Sequence, residues 1–199
     1  MRTVICLLAS AFAPVLLHAQ APATTAPLTD AQQIAAAVLP LPSEFRADAT
    51  VLGYRAGTPS LVSLRKGTGA FTCLANNPAM PNFHVACYHN TLEPFMERGR
   101  SLRASGVKGT EVDSARFKEV RAGTLKMPSQ PAALYTLTGP AGSYDAEAGT
   151  TKGARALYVV YIAGATAAST GISAKPAENT PWIMFPGTPK AHIMFVPKM

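Results

Sequence analysis

From Leu61 to His89 the chain reads LVSLRKGTGAFTCLANNPAMPNFHVACYH, and this segment contains Cys73 and Cys87. The third cysteine of the chain, Cys6, lies in an N-terminal segment that we expect to be removed. Two cysteines then remain, and an even number in an oxidising compartment predicts a Cys73–Cys87 disulfide. Closing a loop of about 15 residues stabilises a fold by about 3 kcal/mol. The alternative, in which Cys87 is a thiolate nucleophile beside a histidine, requires a reduced thiol.

The apolar runs of the same segment predict short β-strands. Residues 61–64 and 70–74 flank the glycine-containing sequence Lys66-Gly67-Thr68-Gly69, so we predict that they pair as a hairpin with its turn there. A further strand is expected over residues 83–88. The Gly-x-Gly of the turn opens no helix, and a phosphate-binding loop is therefore not indicated.

The first 19 residues have the composition of an export signal. Arg2 precedes an apolar run from Val4 to Leu17, and Ala19 provides a small residue at the cleavage position. Pro14 interrupts this run, and no later segment reaches the roughly 18 uninterrupted apolar residues of a membrane span. We therefore expect a soluble periplasmic or secreted protein without a membrane span. Its predicted parts are a signal peptide (1–19), a flexible leader (20–28) and a single globular α+β domain (29–199).

Three segments of the chain have helical patterns. Thr29-Asp30-Ala31-Gln32 is a capping box at the start of an apolar helical face. A second helix is predicted over residues 92–105, because Pro94 falls in its first turn and Gly106 follows its last residue. A third helix is predicted over residues 112–122.

The C-terminal half of the chain has strand patterns. Strands are predicted over residues 133–138 and 157–162, and the second is apolar on both faces, which places it inside the sheet. Residues 182–185 and 192–196 share an Ile-Met-Phe sequence and flank Pro186–Pro189, so we expect a hairpin. The order of strands, helices and strands predicts an α+β fold, with a mostly antiparallel sheet, two or three helices packed on it and one disulfide.

Two long loops are predicted in this half of the chain. Gly139–Gly153 and Gly164–Thr180 are rich in small residues, and we expect them to border a binding surface because long loops often carry function. Tyr135, Tyr158 and Tyr161 are interpreted as sheet packing rather than as a platform for carbohydrate.

The chain is basic, with a formal net charge of +7. Most of the excess lies between Arg98 and Lys126, which indicates either an electropositive face for an anionic envelope component or the solvated side of two helices. Nucleic acid is not expected as a partner, because the chain is exported and no aromatic residues interleave the basic ones. The predicted basic surface comprises Arg98, Arg100, Arg103, Arg116, Lys118 and Arg121.

The histidines support a metal-site hypothesis. His84, His89 and His192, with Glu93 as a fourth ligand or base, are residue types that bind zinc or a similar divalent metal, and an open position would hold a water for hydrolysis. The spacing argues against this hypothesis. His84 and His89 are five residues apart, so a regular strand points them to opposite faces. His192 alternates with apolar residues, as a core histidine would.

Short motifs are spread over most of the predicted domain. They are Leu64-Arg65-Lys66-Gly67-Thr68 before Cys73, then Cys87 before a helix, then Trp182 and His192-Ile193-Met194 near the C-terminus. These motifs resemble a family of secreted bacterial proteins of unknown function, in which an Arg-x-Gly-Ser/Thr-Asn-Gly turn, two cysteines and Pro-His-x-Met recur. The chain departs from that pattern at Gly69-Ala70 and Ala191, and at His84 and His89, where the family tends to have aspartates. The resemblance implies a shared fold and no particular activity.

Other catalytic patterns, such as Gly-x-Ser-x-Gly, His-Glu-x-x-His and Cys-x-x-Cys, do not occur in the sequence. We therefore expect an exported domain that binds a small ligand or an envelope component without catalysis and without a cofactor. The alternative is a metal-dependent hydrolase that uses the histidines.

Overall fold

The computed structural model describes residues 27–58, 60–177 and 179–197. The predicted signal peptide, and all of the predicted leader except its last two residues, lie outside the described residues. No helix within the described ranges is long and apolar enough to cross a membrane.

The described chain contains α-helices, two short 3₁₀ turns and β-strands. The α-helices are α1 (Asp30–Ala37), α2 (Glu93–Ala104), α3 (Thr110–Arg121) and α4 (Ala167–Thr170), and the 3₁₀ turns are Ser43–Phe45 and Asn90–Leu92. The strands are β1 (Thr50–Gly53), β2 (Val62–Arg65), β3 (Phe71–Leu74), β4 (Phe83–His89), β5 (Ala132–Gly139), β6 (Tyr144–Asp145), β7 (Thr150–Thr151), β8 (Arg155–Tyr161), β9 (Trp182–Met184) and β10 (His192–Phe195).

Most of the strands belong to one sheet. Eight of them lie in the order β2-β1-β3-β4-β5-β8-β10-β9, while β6 and β7 form a separate small hairpin inside the loop predicted over residues 139–153. Neighbouring strands of the large sheet are antiparallel, except β1 and β3, which are parallel. The predicted α+β class with a mostly antiparallel sheet is confirmed.

The hairpin predicted around Lys66-Gly67-Thr68-Gly69 is wrong, because β1 lies between β2 and β3 and pairs with both. The glycine segment crosses the start of β1, where a Cβ atom on Gly67 would lie 2.0 Å from the carbonyl oxygen of Asp48. The guanidinium of Arg65 donates a 2.9 Å hydrogen bond to the carbonyl of Ala49 at the same crossing. The glycine therefore permits a close approach of two backbones and not a tight turn.

The disulfide between Cys73 and Cys87 is confirmed. The two residues stand opposite each other in the β3–β4 pair, their Cα atoms are 4.0 Å apart, and both side chains are fully buried. Because the Cys87 sulfur is bonded to Cys73, the alternative of a free thiolate nucleophile at Cys87 is wrong.

Helices pack on both faces of the sheet. On the first face, which we define by the side chains of Cys73 and Cys87, the core includes Val51 of β1 and Ala37 of α1. Side chains alternate along a strand, so the neighbours of these residues point to the second face. The core of the second face lies under the start of α2 and comprises Tyr88, Leu92, Ala132, Val159 and Tyr161.

Two local predictions are confirmed. Thr29 and Gln32 form the capping box of α1, with hydrogen bonds of 3.2 Å from the Gln32 amide to the Thr29 hydroxyl and 3.0 Å from the Thr29 amide to the Gln32 side chain. Strands β9 and β10 form the C-terminal hairpin, with Ile183 opposite Ile193.

Candidate ligand-binding groove

A row of aromatic side chains crosses the first face of the sheet. Tyr158 on β8 stands opposite Tyr135 on β5 and opposite Phe195 on β10. The ring centroids of Tyr135 and Tyr158 are 5.5 Å apart in an edge-to-face arrangement, and Phe71 lies 5.9 Å from Tyr135 on the other side. Directly opposed residues point to the same side of a sheet, so these rings form one continuous strip.

The end of this strip at Tyr158 and Phe195 is exposed. The main contacts of α1, a helix of only 8 residues, are with β1, β2 and β4. Tyr158 is 39% exposed and Phe195 is 38% exposed. Sheet packing is confirmed for Tyr161, which is buried on the second face and whose pKa is raised by burial to about 12. Sheet packing does not describe Tyr158, whose side chain is exposed.

Two adjoining hollows open beside Tyr158. The first has a volume of about 420 Å³ and lies over Ala133, Tyr135, Tyr158 and Phe195. The second has a volume of about 720 Å³ and lies at the end of β10, next to the first residues of β8. We call the two hollows together the aromatic groove, and the residues that line both are Asn179, Val196 and Pro197.

The two loops predicted over residues 139–153 and 164–180 both border the aromatic groove. The second loop is held against the edge of β9 by a 2.8 Å hydrogen bond from the Ile183 amide to the Ser173 carbonyl. Near its end, Asn179 has a positive φ of 61°, a conformation that asparagine tolerates better than most residues. The loop residues that line the groove are Gly153, Pro176, Ala177, Asn179 and Thr180.

The aromatic groove combines apolar surface with a few polar groups. Tyr158 and Phe195 offer exposed rings, while Asn179, Thr180 and Arg155 provide hydrogen-bonding side chains at its border. A concave, mostly apolar surface with a small number of polar groups is typical of sites for small ligands. The arrangement suits a ligand with a flat or apolar face and with polar groups on its edge.

The predicted metal ligands lie at separate places. His84, at the start of β4, is exposed and its Nδ1 is 2.8 Å from the hydroxyl of Thr138, whereas His89 lies at the other end of β4. His192 on β10 is buried with its ring centroid 4.9 Å from that of Tyr161. Three strand spacings of about 4.8 Å separate β10 from β4.

Glu93 is engaged in a different network. Its carboxylate accepts hydrogen bonds from the hydroxyl of Tyr88 and, at 2.5 Å, from the guanidinium of Arg100. Burial, followed by the bond to Glu93, raises the pKa of Tyr88. Within the described ranges no three His, Cys, Asp or Glu side chains are grouped to hold a metal ion. The zinc site gains no support from this geometry and stays a prediction.

Several residues of the predicted basic surface are paired with acids. Arg98 donates hydrogen bonds of 2.6 to 3.0 Å to both carboxylate oxygens of Glu119, and Arg100 is bound to Glu93. The exposed members of the set are Arg103, Lys118 and Arg121. The free positive charge on α2 and α3 is therefore smaller than the sequence indicates.

The prediction that Arg116 belongs to the basic surface is wrong, because its side chain is buried and only 4% exposed. Its guanidinium lies 3.9 Å from the centroid of the Phe95 ring and donates to the Phe95 carbonyl and to Asp113. Asp113 also accepts a 2.8 Å hydrogen bond from Lys190. Gly99 leaves the space for this arrangement, since a Cβ atom there would lie 2.9 Å from the Arg116 guanidinium. Arg116 thus joins α2 to α3.

No protein-family model, curated protein or solved structure matches the chain. The resemblance to the family of secreted proteins therefore stays a prediction. A function for the chain is therefore inferred from its own geometry.

Proposed function

We propose that the chain is an exported domain that binds a small ligand or an envelope component in the aromatic groove and catalyses no reaction. The observation that carries this proposal is the exposure of Tyr158 and Phe195 side by side on a sheet face whose other half is covered by α1. Large aromatic side chains contribute most to binding where they stand uncovered and held in place.

The position of the groove supports the same proposal. It lies between the ends of two long loops, and such loops on a rigid scaffold commonly form binding surfaces. The scaffold here is the sheet, in which Tyr158 is flanked by paired strands on both sides. The groove is therefore formed largely before a ligand arrives, which reduces the entropic cost of binding.

The disulfide supports export. Bonds between cysteines persist in oxidising compartments such as the periplasm or the extracellular medium, and are rare in the cytosol. The Cys73–Cys87 bond is buried in the core under α1, so it serves the fold.

A ligand screen tests the proposed function. The purified domain is heated with fragments of envelope glycan, small peptides and aromatic metabolites, and a binder at 100 times its Kd is expected to stabilise it by about 2.7 kcal/mol. Tyr158→Ala should abolish the thermal shift. Phe185→Ala is the matched control, because Phe185 is equally exposed (41%) but lies outside the groove.

Chemical analysis of the bound compound tests the absence of catalysis. Mass spectrometry should recover the ligand unchanged after prolonged incubation. A compound that is converted by the wild type but not by Tyr158→Ala would contradict the proposal, and so would a binder whose thermal shift survives Tyr158→Ala.

A further inference from the structure

A second groove lies on the opposite face of the sheet. Leu74 and Ala86 form part of its floor. Leu74 directly follows Cys73 on β3 and Ala86 directly precedes Cys87 on β4, so both side chains point away from the face of the two cysteines. The groove consists of two adjoining hollows of about 310 and 570 Å³. Both hollows are lined by Tyr54 and Leu61, which makes them one continuous depression, named here the second groove.

The middle of the second groove is apolar. Leu61, Leu74 and Ala86 are only partly buried, and Met80 from the loop between β3 and β4 is 60% exposed at its border. An exposed methionine beside partly buried aliphatic side chains is an adaptable apolar surface that a hydrocarbon chain can cover.

One end of the second groove is cationic. Arg100 and Arg103 of α2 line it, and no described residue that lines either hollow is an aspartate or glutamate. Arg100 is fixed by a 2.8 Å hydrogen bond to the hydroxyl of Tyr88 and by its ion pair with Glu93, which neutralises its charge. Arg103 supplies the net positive charge, since it is exposed and its described hydrogen bond is with the Gly99 carbonyl of its own helix.

The opposite end of the second groove is polar and uncharged. His84 and Thr138 stand there as a cross-strand pair, with the His84 Nδ1 atom 2.8 Å from the Thr138 hydroxyl. A ligand that follows the whole groove therefore meets a guanidinium group at one end, aliphatic side chains in the middle, and neutral hydrogen-bonding groups at the other end.

We propose that the second groove binds a small amphipathic carboxylate, whose anionic group contacts Arg103 and the fixed guanidinium of Arg100 and whose apolar chain lies over Leu61, Leu74 and Met80. Charge complementarity selects this class, because guanidinium groups form strong, charge-assisted hydrogen bonds with carboxylates. The site is independent of the aromatic groove, which contains Tyr158 on the first face.

Calorimetric titration of the exported chain with sodium octanoate and with 1-octanol tests the proposal. We expect octanoate to bind and octanol to bind at least about tenfold more weakly, since a hydrogen bond to a charged group contributes about 1.5 to 3 kcal/mol. Arg103→Gln should weaken octanoate binding about tenfold. Leu61→Asn should weaken the binding of octanoate by removing apolar surface from the floor.

Two controls separate this site from general effects. Lys118→Gln removes an exposed positive charge from α3 and should leave octanoate binding unchanged, as should Tyr158→Ala in the aromatic groove. The proposal is overturned if octanoate does not bind, if octanol binds as tightly, or if Arg103→Gln binds octanoate as tightly as the wild type.

Discussion

Cys87 on β4 stands directly opposite Tyr135 on β5. Cys73 lies opposite Cys87, and Tyr158 lies opposite Tyr135, so the disulfide and the exposed aromatic strip belong to one row across four neighbouring strands. The row is buried under α1 at the disulfide and open at Tyr158. The disulfide joins β3 to β4, and β4 in turn pairs with β5, which carries Tyr135 at one side of the aromatic groove.

The disulfide should contribute strongly to stability. The two cysteines are 14 residues apart, and closing a loop of about that length is expected to stabilise the fold by about 3 kcal/mol. Urea denaturation of the Cys73→Ser/Cys87→Ser double variant measures this loss. Under non-reducing conditions the mass of the wild type should be two hydrogen masses below that of the reduced chain, and two thiols that react in the unfolded, unreduced protein would contradict the assignment.

Gly67→Ala should destabilise the domain, because its Cβ atom would lie 2.0 Å from the Asp48 carbonyl oxygen and must force two backbone segments apart. Overpacking of this kind costs about 1 to 3 kcal/mol. Thr68→Ala is the control in the same segment, and urea denaturation compares the two. Equal stability of both variants would show that the segment does not cross β1 so closely.

Arg116→Ala should destabilise the domain by about 1.5 to 3 kcal/mol, because it removes a buried charged donor to Asp113, which keeps its ion pair with Lys190. It also removes the packing of the guanidinium on Phe95. Lys118→Ala, on the exposed side of the same helix, should be nearly neutral. A small effect of Arg116→Ala in urea denaturation would show that the side chain is solvated.

His192 should make stability depend on pH. Burial is the main cause that lowers its pKa below the ordinary 6.5, the nearby charge of Lys190 lowers it further, and the hydrogen bond with the Lys190 carbonyl opposes this. As the pH falls below 6.5, the unfolded chain therefore binds a proton at His192 that the folded chain does not. The folded protein therefore loses stability as the pH falls from 6.5 to the pKa that His192 has in the folded state.

His192→Gln removes this contribution, so the decrease in stability from about pH 7 to pH 5 should be smaller in the variant than in the wild type. Partial desolvation of the exposed His84 ring by its neighbours also lowers its pKa, so part of the pH dependence should remain. Urea denaturation at both pH values measures the difference. If the stability of the variant and of the wild type depends on pH in the same way, the His192 side chain is exposed to solvent in the folded protein.

Metal analysis addresses the zinc hypothesis directly. Since His84 and His89 lie at opposite ends of β4 and His192 lies three strands away, we expect no stoichiometric metal in protein that is purified without a histidine tag. One zinc per chain that is lost in His192→Ala, without loss of the fold, would contradict this expectation and support the hydrolase alternative.

The local elements could be predicted because neighbouring residues determine them. The capping box needs only Thr29 and Gln32, three residues apart, and its hydrogen bonds are present. The β9–β10 hairpin follows from two short apolar runs around a turn. The cysteine pair required only an even number of thiols and an oxidising compartment.

The predictions that failed depend on distant segments. The turn at Lys66–Gly69 has the local pattern of a hairpin, but Thr50–Gly53 enters between the two strands and satisfies the hydrogen bonds of both. Arg116 has the helical position of a surface residue, but Phe95 and Gly99 of another helix form the site that buries it.

The fold class, the disulfide and the hairpin at the C-terminus could be predicted from the order of the residues, because residue pattern and turn chemistry act over short distances. Which surfaces stay open depends instead on contacts between distant segments of the chain. Tyr158 has the sequence pattern of a packed strand residue, but it is exposed, since the main contacts of α1 are with β1, β2 and β4. The two grooves exist for the same physical reason: the sheet has eight strands, and the described helices do not cover the whole of either face.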